Sequence, residues 1–240
     1  MRAVLCGANG AMGKLIDARL GDQVVGRVSI DGENGVCTHF SQLPPLDVDM
    51  VIDFSHHTAV NDVLEYAKSR GAAVVIGTTG HTDVEKALIR TAAQDIPVFF
   101  SGNMSLGIAV LCRLAKEAAA FFPDADIEIL EIHHNRKVDA PSGTAKMLFH
   151  ALQEVRPQAA AHCGRVGEGR RKKNEIGIQS LRMGNVVGVH EVHIATGSQT
   201  LTLRHEAGDR GMLADGAVDA AKFLLGKPKG LYDMSHLLEG

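Results

Sequence analysis

Arg2-Ala3-Val4-Leu5-Cys6 runs into Gly7-Ala8-Asn9-Gly10-Ala11-Met12-Gly13, an apolar run that breaks into spaced glycines. Residues 2–8 form a short apolar run rich in β-formers that ends in glycines. Met12 to Leu20 then reads as a helix and Gln23 to Ile30 as a second strand. The glycines follow G-x-x-G-x-x-G, a relative of the dinucleotide fingerprint shifted by one glycine. Glycines at such a turn let backbone approach a pyrophosphate closely, and the free N–H groups of the helix start face its negative charge. Gly7 and Gly10 are therefore candidate cofactor contacts. A tight turn that packs helix on strand without a ligand would use the same glycines.

In a dinucleotide site an acidic residue is expected about 20 positions on to bind ribose hydroxyls. Asp31, after Val28-Ser29-Ile30, is the candidate. No basic residue follows it immediately, which favours NADH over NADPH, although an outward-facing Arg27 could reach a 2′-phosphate. Met50 to Phe54, Ala73 to Gly77 and Ile96 to Phe100 read as buried strands, with helical spacing over residues 59–69 and 83–94. Such alternation with continuous apolar strands predicts a parallel sheet covered on both faces. Ligands of such sheets lie at the carboxyl ends of the strands. The loops Gly77-Thr78-Thr79-Gly80 and Ser101-Gly102-Asn103-Met104-Ser105 are therefore expected to face the nicotinamide.

The rhythm changes after Asn103. A long helix is predicted over residues 108–122, a strand over 126–134 and a helix from Ser-Gly-Thr to Glu154. Residues 161–175 read as a Gly- and Arg/Lys-rich loop. Three strands follow over 176–183, 187–195 and 199–205, with Gly184-Asn185 and Gly197-Ser198 as turn signals for an antiparallel or mixed sheet. Residues 213–225 form a last helix. The fold class is α/β: a Rossmann-type parallel-sheet nucleotide-binding domain over 1–104 and 211–240, with a smaller α+β domain over 105–210.

Composition bounds the function. The 240 residues are 45% hydrophobic and 22% charged, ordinary for a globular protein, with no Trp and two Tyr to offer stacking faces. Net charge is −3, so nucleic acid is not expected as a partner. Residues 105–212 alone are net positive and hold seven of the twelve histidines, which suits an anionic small molecule. The four scattered cysteines show no metal-ligand spacing and fit a reducing compartment. No signal peptide or membrane span is read, so a cytoplasmic location without membrane attachment is expected. The run Arg170-Arg171-Lys172-Lys173 is expected to be solvated, to attract a dianion or to cover a cleft.

The densest chemistry lies in Glu131-Ile132-His133-His134-Asn135-Arg136-Lys137-Val138-Asp139-Ala140-Pro141-Ser142-Gly143-Thr144-Ala145. A strand delivers two histidines on opposite faces, Arg136 and Lys137 add positive charge, and a helix start follows. This is a proton-transfer group, an ammonium and a carboxylate cradle within one loop.

That stretch resembles the signature of the 4-hydroxy-tetrahydrodipicolinate reductase (dihydrodipicolinate reductase) family. The resemblance extends to Gly7–Gly13, Asp53-Phe54-Ser55, Gly77–Gly80, Asn103-Met104-Ser105, residues 182–188, Asp209-Arg210 and residues 230–234. It implies NAD(P)H-dependent reduction of a cyclic dicarboxylate, with loss of water, in lysine and diaminopimelate biosynthesis. His133 and Lys137 are implied as the acid–base pair. His134, Ser142, Gly143 and Thr144 are implied as substrate contacts, with Arg210 in the loop leading to the final helix. Cofactor contacts are implied at Ala8, Asn9, Gly10, Ala11 and Met12, at Gly77 and Thr79, and at Ser101, Gly102, Asn103 and Met104. Met104 stands where many relatives carry Phe. A homotetramer through the open face of the second sheet is implied as well. Metal is not expected, because a strand turns His190 and His193 to opposite faces. Lys137 is expected to lose its proton readily among positive neighbours.

Two other classes share the glycine turn: another two-domain dinucleotide oxidoreductase such as an amino-acid dehydrogenase, and a nucleotide-binding regulator without catalysis. Neither requires Lys137 together with Ser142-Gly143-Thr144.

Overall fold

A computed structural model describes residues 1–239. The chain divides into two compact units, residues 1–106 with the residues from 211 onward, and residues 107–210.

In the first unit, the strands β1 (Ala3–Cys6), β2 (Val24–Val28), β3 (Met50–Asp53), β4 (Ala73–Ile76) and β5 (Pro97–Phe100) are joined by β11 (Gly230–Tyr232) near the C-terminus. They form one sheet in the order β11-β5-β4-β3-β1-β2, and every neighbouring pair is parallel. Every residue of β1, β3 and β4 is buried, as expected of unbroken apolar strands covered on both faces. Helices α1 (Ala11–Leu20) and α6 (Gly211–Leu224) pack together, while α2 (Val60–Arg70) and α3 (Asp83–Ala92) form a second pair. The chain leaves β1 for β2 on one side and returns to β3 on the other, so the order reverses beside β1. That reversal opens a crevice beyond the strands' carboxyl ends.

The glycine turn is built into this crevice. Gly7 has φ +79°, and a Cβ there would lie 2.3 Å from the Phe54 carbonyl oxygen. A Cβ on Gly13 would lie 2.1 Å from the Gly7 carbonyl oxygen, so the turn and α1 close on one another only with glycine at both positions.

The second unit has a mixed sheet in the order β10-β9-β6-β8-β7, made of β6 (Asp126–His133), β7 (Ala160–Cys163), β8 (Glu175–Arg182), β9 (Gly188–Ala195) and β10 (Thr200–Ala207). Its core joins Ile127, Ile129, Ile178 and Val192 to apolar residues of α4 (Leu106–Phe121) and α5 (Gly143–Val155).

Three expectations are corrected here. The loop over 161–175 contains the end of β7, which pairs in parallel with β8. Three of its four residues are exposed, so this edge strand has no apolar period to read. Gly184-Asn185 does not close a hairpin, because β6 lies between β8 and β9, parallel to one and antiparallel to the other. Gly197-Ser198 does turn β9 into antiparallel β10. The C-terminal stretch beyond α6 adds β11 and α7 (Met234–Glu239).

Candidate active site

In the first unit, a cavity of about 550 Å³ lies at the crevice, lined by Gly7, Gly10, Asp31, Phe54, Ser55 and Asp62 among others. Gly10 caps α1 with extended backbone and no side-chain hydrogen bond, so the first-turn amides have no side-chain acceptor at the cap. Asn9 Nδ2 donates to Asp31 Oδ1 at 2.5 Å, and this bond leads in holding the exposed Asp31 carboxyl below its ordinary range. Two carboxylates line this cavity, Asp31 and Asp62, and none of its described lining residues is Lys or Arg. Ala8 is buried, while Ala11 is exposed and Met12 half-buried at the helix start. This glycine-walled cavity, ending at a helix N-terminus, fits a dinucleotide.

Arg27 is not among the described residues lining this cavity. Its guanidinium is paired with both carboxylate oxygens of Asp17 on α1, at 2.7 and 3.0 Å.

At the ends of β3 and β4, Asp53 is fully buried. It accepts from Ser55 Oγ at 2.5 Å and from Thr78 Oγ1 at 2.7 Å, and burial pushes its carboxyl up. Thr78 thus turns its hydroxyl inward, while Thr79 is exposed and Gly77 lies against the Phe54 ring. After β5, Ser101 is buried with its hydroxyl on the Asn103 carbonyl, and Gly102 is exposed. Asn103 Oδ1 accepts from the Ser105 amide. Met104 was expected to wall the cofactor, yet its side chain is only 2% exposed and belongs to the core. A thioether in the place of an aromatic ring fills interior space there.

In the second unit, β6 ends at His133, and its neighbours supply the polar groups around Glu131. The Glu131 carboxylate is wholly buried. It accepts from Arg182 Nη1 and Nη2 at 2.8 Å each, from the Ser142 amide at 3.1 Å and from His133 Nδ1 at 2.5 Å. Burial opposes its charge, but Arg182, Ser180, His133 and Ser142 overcome that and hold the carboxyl down at about 2. His190 lies edge-on to His133 with ring centroids 5.1 Å apart, and its Nε2 is 3.2 Å from Ser142 Oγ. Burial pushes its imidazole down to about 4.

Ser142 was expected to touch substrate. It is 2% exposed, and its hydroxyl caps the Ala145 amide and faces His190, so it starts α5 and positions neighbouring groups instead. Gly143 and Thr144 follow in the first turn, Gly143 exposed and Thr144 half-buried. His134 has a buried Nδ1 without a hydrogen-bond partner. Desolvation, then the charges of Arg136 and Arg210, hold its imidazole below the ordinary range. Those same cations, with Lys137, make a positive field suited to a carboxylate.

Lys137 is not surrounded by positive charge alone, because Nζ is paired with Asp139 at 2.8 Å. Arg171 is no solvated loop residue either. It reaches Asp126 at 2.8 Å, Glu128, and the carbonyls of Ile127 and Glu175, tying β6 to β8. Glu131, Arg182 and His190 were missed as a group because they stand on three strands. Arg182 opens the run 182–188, with nothing local to name its partner.

The family profile described as dihydrodipicolinate reductase, N-terminus, matches residues 1–104, and the C-terminus profile matches residues 107–238. The 4-hydroxy-tetrahydrodipicolinate reductase of Alkaliphilus oremlandii is 42% identical over 99% of this chain and 98% of its own. That of Caldanaerobacter subterraneus is 41% identical over 100% and 98%. A dipicolinate-bound dihydrodipicolinate reductase from Paenisporosarcina sp. TG-14 superposes with a TM-score of 0.78 at 23% identity, covering 97% of each chain. An amine dehydrogenase from Mycobacterium smegmatis shares the fold with a TM-score of 0.62 at 14% identity, covering 96% and 94%.

Proposed function

This chain belongs to the dihydrodipicolinate reductase family, and from that premise we propose how its residues divide the reaction. The protein is a nicotinamide-dependent oxidoreductase. It reduces 4-hydroxy-tetrahydrodipicolinate to tetrahydrodipicolinate, with loss of water, in lysine biosynthesis. The observation that carries the assignment of roles is the end of β6, where His133 and Ser142 at the start of α5 are joined through Glu131.

Residues 1–104 with 211–240 bind the dinucleotide, and residues 105–210 bind substrate and assemble the oligomer. Gly7 to Met12 and the first turn of α1 hold the pyrophosphate, and Asp31 accepts from ribose hydroxyls. Gly77, Thr79, Gly102 and Asn103 line the nicotinamide end. When bound, the dinucleotide supplies hydride. NADH is preferred, because a 2′-phosphate would enter a cavity holding Asp31 and Asp62 with no Lys or Arg among its described lining.

On the substrate side, the amides of Gly143 and Thr144 and the Thr144 hydroxyl hold one carboxylate at the helix start. His134 and Arg210 hold the other. The substrate carbon next to the one reduced requires a proton. Lys137 donates it from its ammonium, which Asp139 orients. His133 exchanges a proton through Nε2. No described helix is long and apolar enough to cross a membrane. The working form is a cytoplasmic homotetramer built on the open sheet face, a reading supported by the family resemblance.

The test follows oxidation of NADH, and separately of NADPH, on addition of freshly made aldolase product. Turnover with either supports the function. Nucleotide binding without turnover would leave a non-catalytic dinucleotide protein.

A further inference from the structure

The geometry points to Glu131 as a positioning residue that sets which nitrogen of His133 carries the proton and, through the same carboxylate, anchors the start of α5. The inference rests on the reading of His133 as an acid–base group.

Glu131 is 0% exposed, and a carboxylate taken out of water survives only with donors around it. Four of its donor atoms reach it from three directions. Arg182 reaches it from β8, where it stands opposite His133 in the parallel ladder. The Ser142 amide reaches it from the first residues before α5, and His133 Nδ1 from its own strand two residues on. An ionised carboxylate only accepts, so His133 must hold a hydrogen on Nδ1. In the neutral ring, Nε2 is then the lone-pair nitrogen, ready to take up a proton. On protonation the ring neither flips nor changes partner, and its new charge lies beside a fixed carboxylate. The arrangement has the logic of a carboxylate that orients a catalytic histidine and holds its tautomer.

Two surrounding features strengthen the assignment. Both Glu131 oxygens are occupied by Arg182 as well, so the carboxylate cannot swing away from His133. His190, the ring packed on His133, is kept neutral by burial and adds no competing charge. Its Nε2 meets the hydroxyl of the same Ser142 whose amide Glu131 holds. One buried acid therefore links the proton-transfer nitrogen to the helix start that the proposed mechanism uses for a substrate carboxylate.

The experiment records ¹⁵N spectra of histidine-labelled full-length protein, with His133 assigned by loss of its signals in His133→Asn. The wild-type signals are expected to report hydrogen on Nδ1; hydrogen on Nε2 would overturn the proposal without any Glu131 variant. In Glu131→Gln the ring is expected to change to hydrogen on Nε2. The kcat should fall by about 10²–10⁴-fold, the range carried by a correctly oriented acid–base group. Dinucleotide affinity should stay within about twofold, since Glu131 lies outside the dinucleotide site. An unchanged tautomer, or full kcat in Glu131→Gln while His133→Asn is inactive, defeats the positioning role alone. Full kcat in His133→Asn defeats the acid–base reading beneath it.

Discussion

Arg182 grips Glu131 with both terminal guanidinium nitrogens, Nη1 to Oε2 and Nη2 to Oε1 at 2.8 Å each, across the ladder between β6 and β8. Arg182 is the cross-strand neighbour of His133, so the grip is diagonal and reaches back along β6 to an acid without solvent contact. Removing one partner of such a pair costs more than the pair contributes, because the other charge stays buried. Arg182→Met is expected to destabilise the protein by about 3–5 kcal/mol in urea unfolding. The double variant Arg182→Met/Glu131→Gln should recover part of that loss. A loss below about 1 kcal/mol in the single variant would mean that Glu131 finds other compensation.

Acid stability should fall in two overlapping windows. His190 has its ring pushed down to about 4 in the folded chain, so the unfolded state binds the extra proton first. Its contribution is whole above the ordinary histidine range and is lost as pH falls from about 6.5 to about 4. Glu131, held at about 2, contributes fully above about 4.5 and loses that contribution as pH falls toward 2, on the order of 3 kcal/mol. Urea unfolding from pH 7 to pH 3 should show the first slope flattened in His190→Gln. An unaltered slope would assign the acid sensitivity elsewhere.

Lys137→Ala should lower kcat by about 10²–10⁴-fold, as expected for loss of a general acid. Steady-state turnover with saturating reduced dinucleotide measures this. Asp139→Asn, which removes the carboxylate paired with Lys137, should have a smaller effect in the same direction. Unchanged turnover in Lys137→Ala removes that residue from the reaction.

Thr144→Val should raise KM for the dicarboxylate more than it lowers kcat, because the hydroxyl binds ground state and transition state alike. Initial rates over a range of substrate concentrations separate the two effects. A fall in kcat with constant KM would instead place Thr144 in the chemical step.

The ratio of kcat/KM with NADH to that with NADPH should exceed one in the wild type. It should shrink in Asp31→Ala, which removes both a ribose acceptor and a charge opposed to a 2′-phosphate. A wild-type preference for NADPH would reverse the reading of the cavity beside Asn9 and Asp31.

Local pattern carried much of this architecture. The apolar runs of β1, β3 and β4 are buried throughout their length, and the Gly7–Gly13 turn joins strand to helix where the glycines stood. The candidate run from His133 to Thr144 stood out because two histidines, an ammonium and a helix start are close in the chain. Less legible were side chains whose direction depends on distant packing. Met104 entered the core, Ser142 became a buried cap, and Arg27 paired with Asp17. The exposed edge strand β7 left no period to find.

Sequence alone was enough for the parallel α/β half, for the glycine turn between β1 and α1, and for the stretch that holds the candidate site residues. Those features rest on short-range spacing and on each residue's own affinity for water. Only the tertiary structure decided that β6 lies between β8 and β9, and hence that Arg182 meets Glu131 from 51 positions away. The physical reason is that a buried charge is satisfied by whichever donors the strand order brings beside it, and strand order is a property of the whole packed sheet.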